Sequence, residues 1–144
     1  LLLKWTVLQY EKKYKKKVDI VVLLYPTSPL RDVESLDKAI HMVKNKGYDS
    51  VLSLYHDTRY LWKIKKNNLV IPTNYDPNNR MPRQKEIWNQ WAENKSIYVM
   101  KKDLLFQKGR IGKKCGFVEM EKWRSVDIDT LDDLKIAKSL IDKV

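Results

Sequence analysis

Residues 18–31 (VDIVVLLYPTSPLR) restrict what this chain can fold into more than any other stretch. Residues 20–24 form an unbroken apolar run rich in β-branched side chains, the pattern of a strand buried on both faces. Pro26 ends it, because proline has no N–H for a ladder and holds Tyr25 before it in extended geometry. Thr27, Ser28 and Arg31 then place two hydroxyls and a guanidinium just past the strand's carboxyl end, where open α/β sheets hold their ligands. Near the tail, residues 125–134 (SVDIDTLDDL) would bring Asp127 and Asp129 to a similar strand end. The spatial expectation is that the two stretches meet at one pocket mouth.

Strand and helix patterns alternate around them. Leu3, Val7, Tyr10 and Tyr14 recur at helical spacing and predict a helix over 2–16, with its lysines at the carboxyl end where the macrodipole favours cations. After a strand at 18–24, Asp32 is placed to cap a helix whose inner face is Val33, Leu36, Ile40 and Val43, and Gly47 ends it. Residues 49–55 read as the next strand, and the strand–helix–strand order predicts parallel pairing through a right-handed crossover. Asn67 and Asn68, between 61–64 and 69–71, predict a hairpin. Residues 72–90, with Pro72, Pro77, Pro82, Arg80, Arg83 and Gln84, lose the regular pattern and read as a binding loop. Further strands are predicted over 96–100, 116–120 and 124–128. A short helix is predicted over 103–107, and a last one over 130–143 with Leu131, Leu134, Ala137 and Ile141 inward. The class expected is α/β, a single domain over 1–144 with a mostly parallel sheet flanked by helices.

Composition excludes more than it selects. A chain 43% hydrophobic and 33% charged is ordinary for a globular domain. The net charge of +11 comes mainly from lysine, with six arginines and no recognition motif, so a nucleic-acid partner is not expected. The lysines read as a solvated surface or as a field attracting small polyanions such as nucleotides. No apolar run has the length of a membrane span, and residues 1–3 do not make a signal peptide, so no membrane partner and a cytoplasmic location are expected. The single Cys115 forbids an internal disulfide and reads as a small buried apolar side chain. Opening on Leu1 and directly in a helical pattern, the sequence reads as lacking the amino-terminal part of a larger protein.

Asp127 and Asp129, two apart on an extended stretch, would share one face, and a hard divalent cation relieves the repulsion between them. A second reading stands beside it. Asp129 could cap the last helix with Asp132 in a capping-box place, and the two roles are compatible. Arg31, Arg80 and Arg83 could grip phosphate or carboxylate, and Tyr98 could be a packed aromatic or a ligand. Trp62, Trp88, Trp91 and Trp123 read as packing residues, His41 and His56 as structural or exposed ones.

Assembled in order, VVLLYPTSPLRDVESLDKAI, YDSVLSL, RYLWK, NYDPNNRMPRQ, ENKSIYV, FVEM and SVDIDTLDDLKIA resemble the acylneuraminate cytidylyltransferases, the CMP-sialic acid synthetase family. The resemblance implies a nucleotide-diphospho-sugar transferase type of fold and a homodimer. It implies transfer of CMP from CTP to a sialic-type nine-carbon sugar acid with release of pyrophosphate, supplying CMP-sugars for surface glycans. It implies Mg2+ held by Asp127 and Asp129, a site-lining turn of Tyr25, Thr27, Ser28 and Arg31, and Arg83, Gln84, Asn94 and Tyr98 near the sugar. Tyr25 stands where the family commonly has glutamine, and Lys95 where it commonly has glycine. The family's amino-terminal phosphate-gripping loop has no counterpart in these residues. The alternative is therefore an inactive fragment, or a subunit completed by another chain.

Overall fold

The computed structural model describes residues 1–107 and 109–144. They form two compact units, Leu1–Tyr55 with Glu93–Val144, and His56–Ala92. In chain order the elements are α1 (Leu2–Tyr14), β1 (Ile20–Leu23), α2 (Val33–Asn45), β2 (Ser50–His56), β3 (Trp62–Ile64), β4 (Val70–Pro72), β5 (Trp91–Lys101), α3 (Lys102–Gln107), β6 (Cys115–Glu119) and α4 (Leu131–Leu140).

The first unit is built on a four-stranded sheet in the order β1-β5-β2-β6. β1 and β5 are antiparallel, with Val21 opposite Met100, and β2 and β6 are parallel, with Val51 opposite Gly116. The sheet is therefore mixed, which corrects the expectation of a mostly parallel one. β5 enters after the excursion through the second unit and inserts between β1 and β2. The two strands joined by α2 are consequently not neighbours, contrary to the crossover read from strand–helix–strand order.

Burial on both faces belongs to β5 rather than β1. Residues 96–100 are all buried. Alternate side chains of a strand face opposite ways. Ile97 and Val99 join Ala39, Val43, Val51 and Val118 in one core, while Tyr98 and Met100 join Val7, Val21 and Leu105 in the other. β1 lies at the sheet edge, where Val22 and Leu24 are more than a third exposed. Val21 and Leu23 pack into the second core, and Ile20 on the other face packs against the first, so the apolar run is real but only partly covered.

Helix ends follow their local chemistry. Asp32 accepts from the Ser35 N–H at 2.6 Å, satisfying one of the orphan donors at the start of α2, and Gly47 supplies the positive φ of 69° just beyond its end. Glu11 fastens α1 to the residues leading into β1 and to the start of α3. Its carboxylate accepts from Lys102 Nζ at 2.7 and 2.8 Å and from the Val18 N–H at 2.8 Å. Those bonds, Lys102 first, hold its pKa below the usual carboxylate value. The stripe predicted on α1 is only half used: Val7 is buried, but Tyr10 and Tyr14 are about half exposed and pack on each other at 4.7 Å. Gly116 lets β6 run tight against the Tyr48 ring, which a Cβ there would meet at 2.7 Å. Cys115 beside it is a free thiol and only half-buried, not the buried apolar residue expected.

In the second unit β3 and β4 pair antiparallel around Asn67 and Asn68 at φ 60° and 58°, the hairpin read from the asparagine pair. Trp88 is buried there and its indole N–H donates to the Asp57 carbonyl at 2.7 Å. Among the described residues no helix is long and apolar enough to cross a membrane.

Candidate functional site

The site starts with the turn that follows β1. The Ser28 N–H donates to the Tyr25 carbonyl at 3.2 Å, and the Arg31 guanidinium reaches back to that same carbonyl. Ser28 and Leu30 are fully buried, so the turn is anchored from below while Thr27 stays half-buried at its rim.

The tail segment hangs on this turn. The Ile128 N–H donates to the Thr27 carbonyl at 2.8 Å, and Arg124 Nη1 donates to the Leu30 carbonyl at 3.2 Å. Residues 124–128 are not the strand expected from their alternation. Lys122–Ser125 is a 3-10 turn, and the extended residues after it pair with the head turn instead of with a sheet strand. The α4 cap also differs from the expectation. Thr130 is the N-cap and closes a capping box with Asp133, one position later than the Asp129–Asp132 pair read from the sequence. The Asp129 carboxylate takes no part in this cap, although its N–H donates to Asp133 Oδ2 at 3.3 Å.

Asp127 and Asp129 converge on one ammonium. Lys95 Nζ lies 2.8 Å from Asp127 Oδ2 and 3.8 Å from Asp129 Oδ2. The bond from Lys95, with help from the Thr27 hydroxyl, holds Asp127 below the usual carboxylate pKa despite its partial burial. Asp127 Oδ1 is buried and accepts no hydrogen bond of normal geometry.

That atom has company. Among the described residues, the buried side-chain polar atoms without a partner are Ser28 Oγ, Arg31 Nε, Ser96 Oγ and Asp127 Oδ1. Native interiors leave few such groups, and each calls for a reason. Three of the four belong to residues singled out from the sequence, and Ser96 neighbours the other two candidates on β5, Asn94 and Tyr98.

Asn94 is buried and its amide is spent inside the protein. Its Oδ1 accepts from Ser53 Oγ at 2.5 Å and from the Ser96 N–H at 3.2 Å, and its Nδ2 donates to Ser125 Oγ at 3.0 Å. It thus joins β2, β5 and the tail segment beneath the carboxylates. Tyr98 is buried too. Its hydroxyl donates to Glu93, and burial followed by that carboxylate raises its pKa, so the phenol stays neutral. Tyr25 meets the Tyr98 ring edge-on at 6.0 Å, and its own hydroxyl accepts from Arg110 Nη1 at 2.8 Å.

Arg83 and Gln84 lie in the second unit. Arg83 sits 5.4 Å from the Tyr60 ring, and the Gln84 carbonyl accepts from the Trp88 N–H at 2.7 Å. Arg80 faces the same ring at 5.3 Å. The sequence did not single out Arg110, Glu93 or Arg124, and it marked Lys95 only as an unusual residue for its position. Arg110 falls between Gly109 and Gly112 in a loop with no periodic signal, and the Lys95 ion pair spans 32 positions, beyond any local pattern.

The donor set fits a hard divalent cation. No group of three or more metal-ligating side chains stands together among the described residues. Magnesium, however, is commonly held by one or two carboxylates, with phosphate and water completing the shell. An ionised Asp127 with an unused buried oxygen, beside an exposed Asp129, supplies that minimum, and Lys95 now puts a positive charge there.

No family model matches the chain. It is 30% identical over 139 residues, 94% of its length, to N-acylneuraminate cytidylyltransferase A of Danio rerio. It is 31% identical over 128 residues, 87% of its length, to N-acylneuraminate cytidylyltransferase of Oncorhynchus mykiss. These matches cover 32% and 29% of the two proteins, so the chain spans about a third of the length of the curated relatives. The crystal structure of 4-diphosphocytidyl-2C-methyl-D-erythritolsynthase from Anaerococcus prevotii DSM 20548 superposes on 96% of this chain and 66% of its own, at a TM-score of 0.62 and 13% identity, a likeness of fold alone. The chain is a homologue of the N-acylneuraminate cytidylyltransferases over nearly its whole length, and its fold is α/β with a mixed sheet.

Proposed function

We propose that the protein carrying this segment transfers CMP from CTP to a sialic-type nine-carbon sugar acid, working as a homodimer with Mg2+. The observation that supports this best is the backbone bond from Ile128 to the Thr27 carbonyl, which sets the acidic tail segment against the hydroxyl-bearing turn.

In this reading the sugar's anomeric oxygen attacks the α-phosphorus of CTP. A new O–P bond forms, the α–β phosphoanhydride breaks, pyrophosphate leaves, and the hydroxyl proton passes to solvent. Such transfers ask the protein mainly for positioning and electrostatic stabilisation. Asp127 and Asp129 would hold the magnesium ion. That ion, when bound, neutralises charge on phosphate oxygens and lowers the pKa of a nearby hydroxyl. Arg31 has an unused, buried Nε to offer an anionic oxygen, and Ser28 an unused hydroxyl. Thr27 favours the ionised Asp127. Tyr25 and Tyr98 present an edge-on aromatic pair, with Arg110 over the Tyr98 ring at 5.2 Å as a further cation for a sugar carboxylate. Asn94 keeps β5 and the tail segment in register. Arg83 and Gln84 are proposed sugar contacts on the strength of the resemblance.

A second reading, a subunit that needs another polypeptide for turnover, is favoured by β1 standing at the sheet edge with, among the described residues, a ladder on one side only. The test is pyrophosphate release from CTP with N-acetylneuraminate, pseudaminate or legionaminate, run beside saturation-transfer NMR of each sugar. CTP-dependent release with one of the sugars is expected. Sugar binding without release supports the second reading, and neither binding nor release with any of the three overturns both.

A further inference from the structure

We infer that Lys95 is a tethered cation that occupies the carboxylate pair of Asp127 and Asp129 and thereby sets how tightly this site takes a divalent ion. The inference rests on the metal-binding reading of those two residues.

Three observations carry it. The first is position: one ammonium lies 2.8 Å from Asp127 and 3.8 Å from Asp129, so both carboxylates already face a positive charge. A divalent ion on the same oxygens would have to displace it or suffer its repulsion. With Lys95 seated, the local charge drops from minus two to minus one.

The second is the backbone. Lys95 sits at φ 56°, the left-handed region that a long side chain rarely adopts. Its neighbours Asn94 and Ser96 are buried, and the Asn94 side chain accepts from the Ser96 N–H at 3.2 Å. The conformation is therefore imposed from both sides, and it turns the one residue of the three with an exposed side chain toward the acids. Strain of this kind persists where the surroundings over-determine it.

The third is freedom. The Lys95 side chain is 55% exposed, so its ammonium can leave for water without unpacking the core. An arriving ion finds a departing charge rather than a fixed plug. Asp127 Oδ1, buried and without a hydrogen-bond partner of normal geometry, is not the oxygen that Lys95 holds.

Manganese serves as the probe, titrated alone into this chain and followed by the EPR signal of the free ion. Lys95→Gly removes both charge and strain, while Lys95→Met removes the charge and keeps the strain. Both variants are expected to bind manganese roughly five- to tenfold more tightly than the parent. Adding Asp127→Asn to Lys95→Met should abolish the gain, and circular dichroism confirms that each variant is folded.

If both Lys95 variants bind within twofold of the parent while Asp127→Asn still weakens binding, the inference is wrong and the metal site stands. If only Lys95→Gly binds more tightly, backbone strain and not charge is responsible, and the inference is again wrong. Manganese binding indifferent to Asp127 would remove the metal reading and this inference together.

Discussion

Asp127→Asn is expected to slow pyrophosphate release on the order of 10²–10³-fold in the protein that carries this segment, with the fold intact. The Asp127 loop is fastened by the backbone bond from Ile128 to Thr27 and by Arg124 on the Leu30 carbonyl, neither of which uses the Asp127 side chain. The side chain's partner, Lys95, is mostly in water, so losing the pair costs little stability. Asparagine keeps the size and loses the charge that the cation and the transferred phosphate require. Steady-state release and a melting curve, measured on the same preparation, check both halves. An active Asp127→Asn enzyme would remove Asp127 from the chemistry.

Asn94→Ala should act in the opposite way, destabilising the fold by about 2–3 kcal/mol. Asn94 is buried and satisfies Ser53, Ser96 and Ser125 at once. Removing it leaves the Ser96 N–H without that acceptor, and leaves the Ser53 hydroxyl only the longer 3.4 Å bond to the Ile97 carbonyl to donate, though its oxygen still accepts from the Ile97 N–H at 2.9 Å. Ser125 keeps its bond to Glu121, which limits the loss. Urea unfolding should show a lower midpoint with an unchanged slope. A loss below about 0.5 kcal/mol, the ordinary range for surface substitutions, would mean the amide does not hold these strands together.

Local chemistry in the sequence was enough for much of the architecture. The Asp32 cap, Gly47, the Asn67-Asn68 hairpin and the proline-bounded turn all depend on residues a few positions apart, and all are present in the structure. Strand order was not legible, because the place of β5 depends on a return to the sheet after the excursion over residues 57–90. The apolar run at 20–24 misled for a related reason: its hydrophobicity is real, but one of its edges has no described neighbour. The tail was misread by one step. Alternation in SVDID is equally consistent with a strand and with an extended loop, and only the partner, Thr27, decides. Lys95 carries no signal in spacing. Its meaning comes from a left-handed backbone and two carboxylates that fold beside it.

The convergence of turn and carboxylates is open to a direct measurement. Amide NMR of this chain with substoichiometric manganese should broaden Thr27, Ser28 and Lys95 at the same metal level as Asp127 and Asp129. Broadening confined to residues near 127–133, with the Thr27 and Ser28 amides still sharp, would mean that head and tail do not share a site.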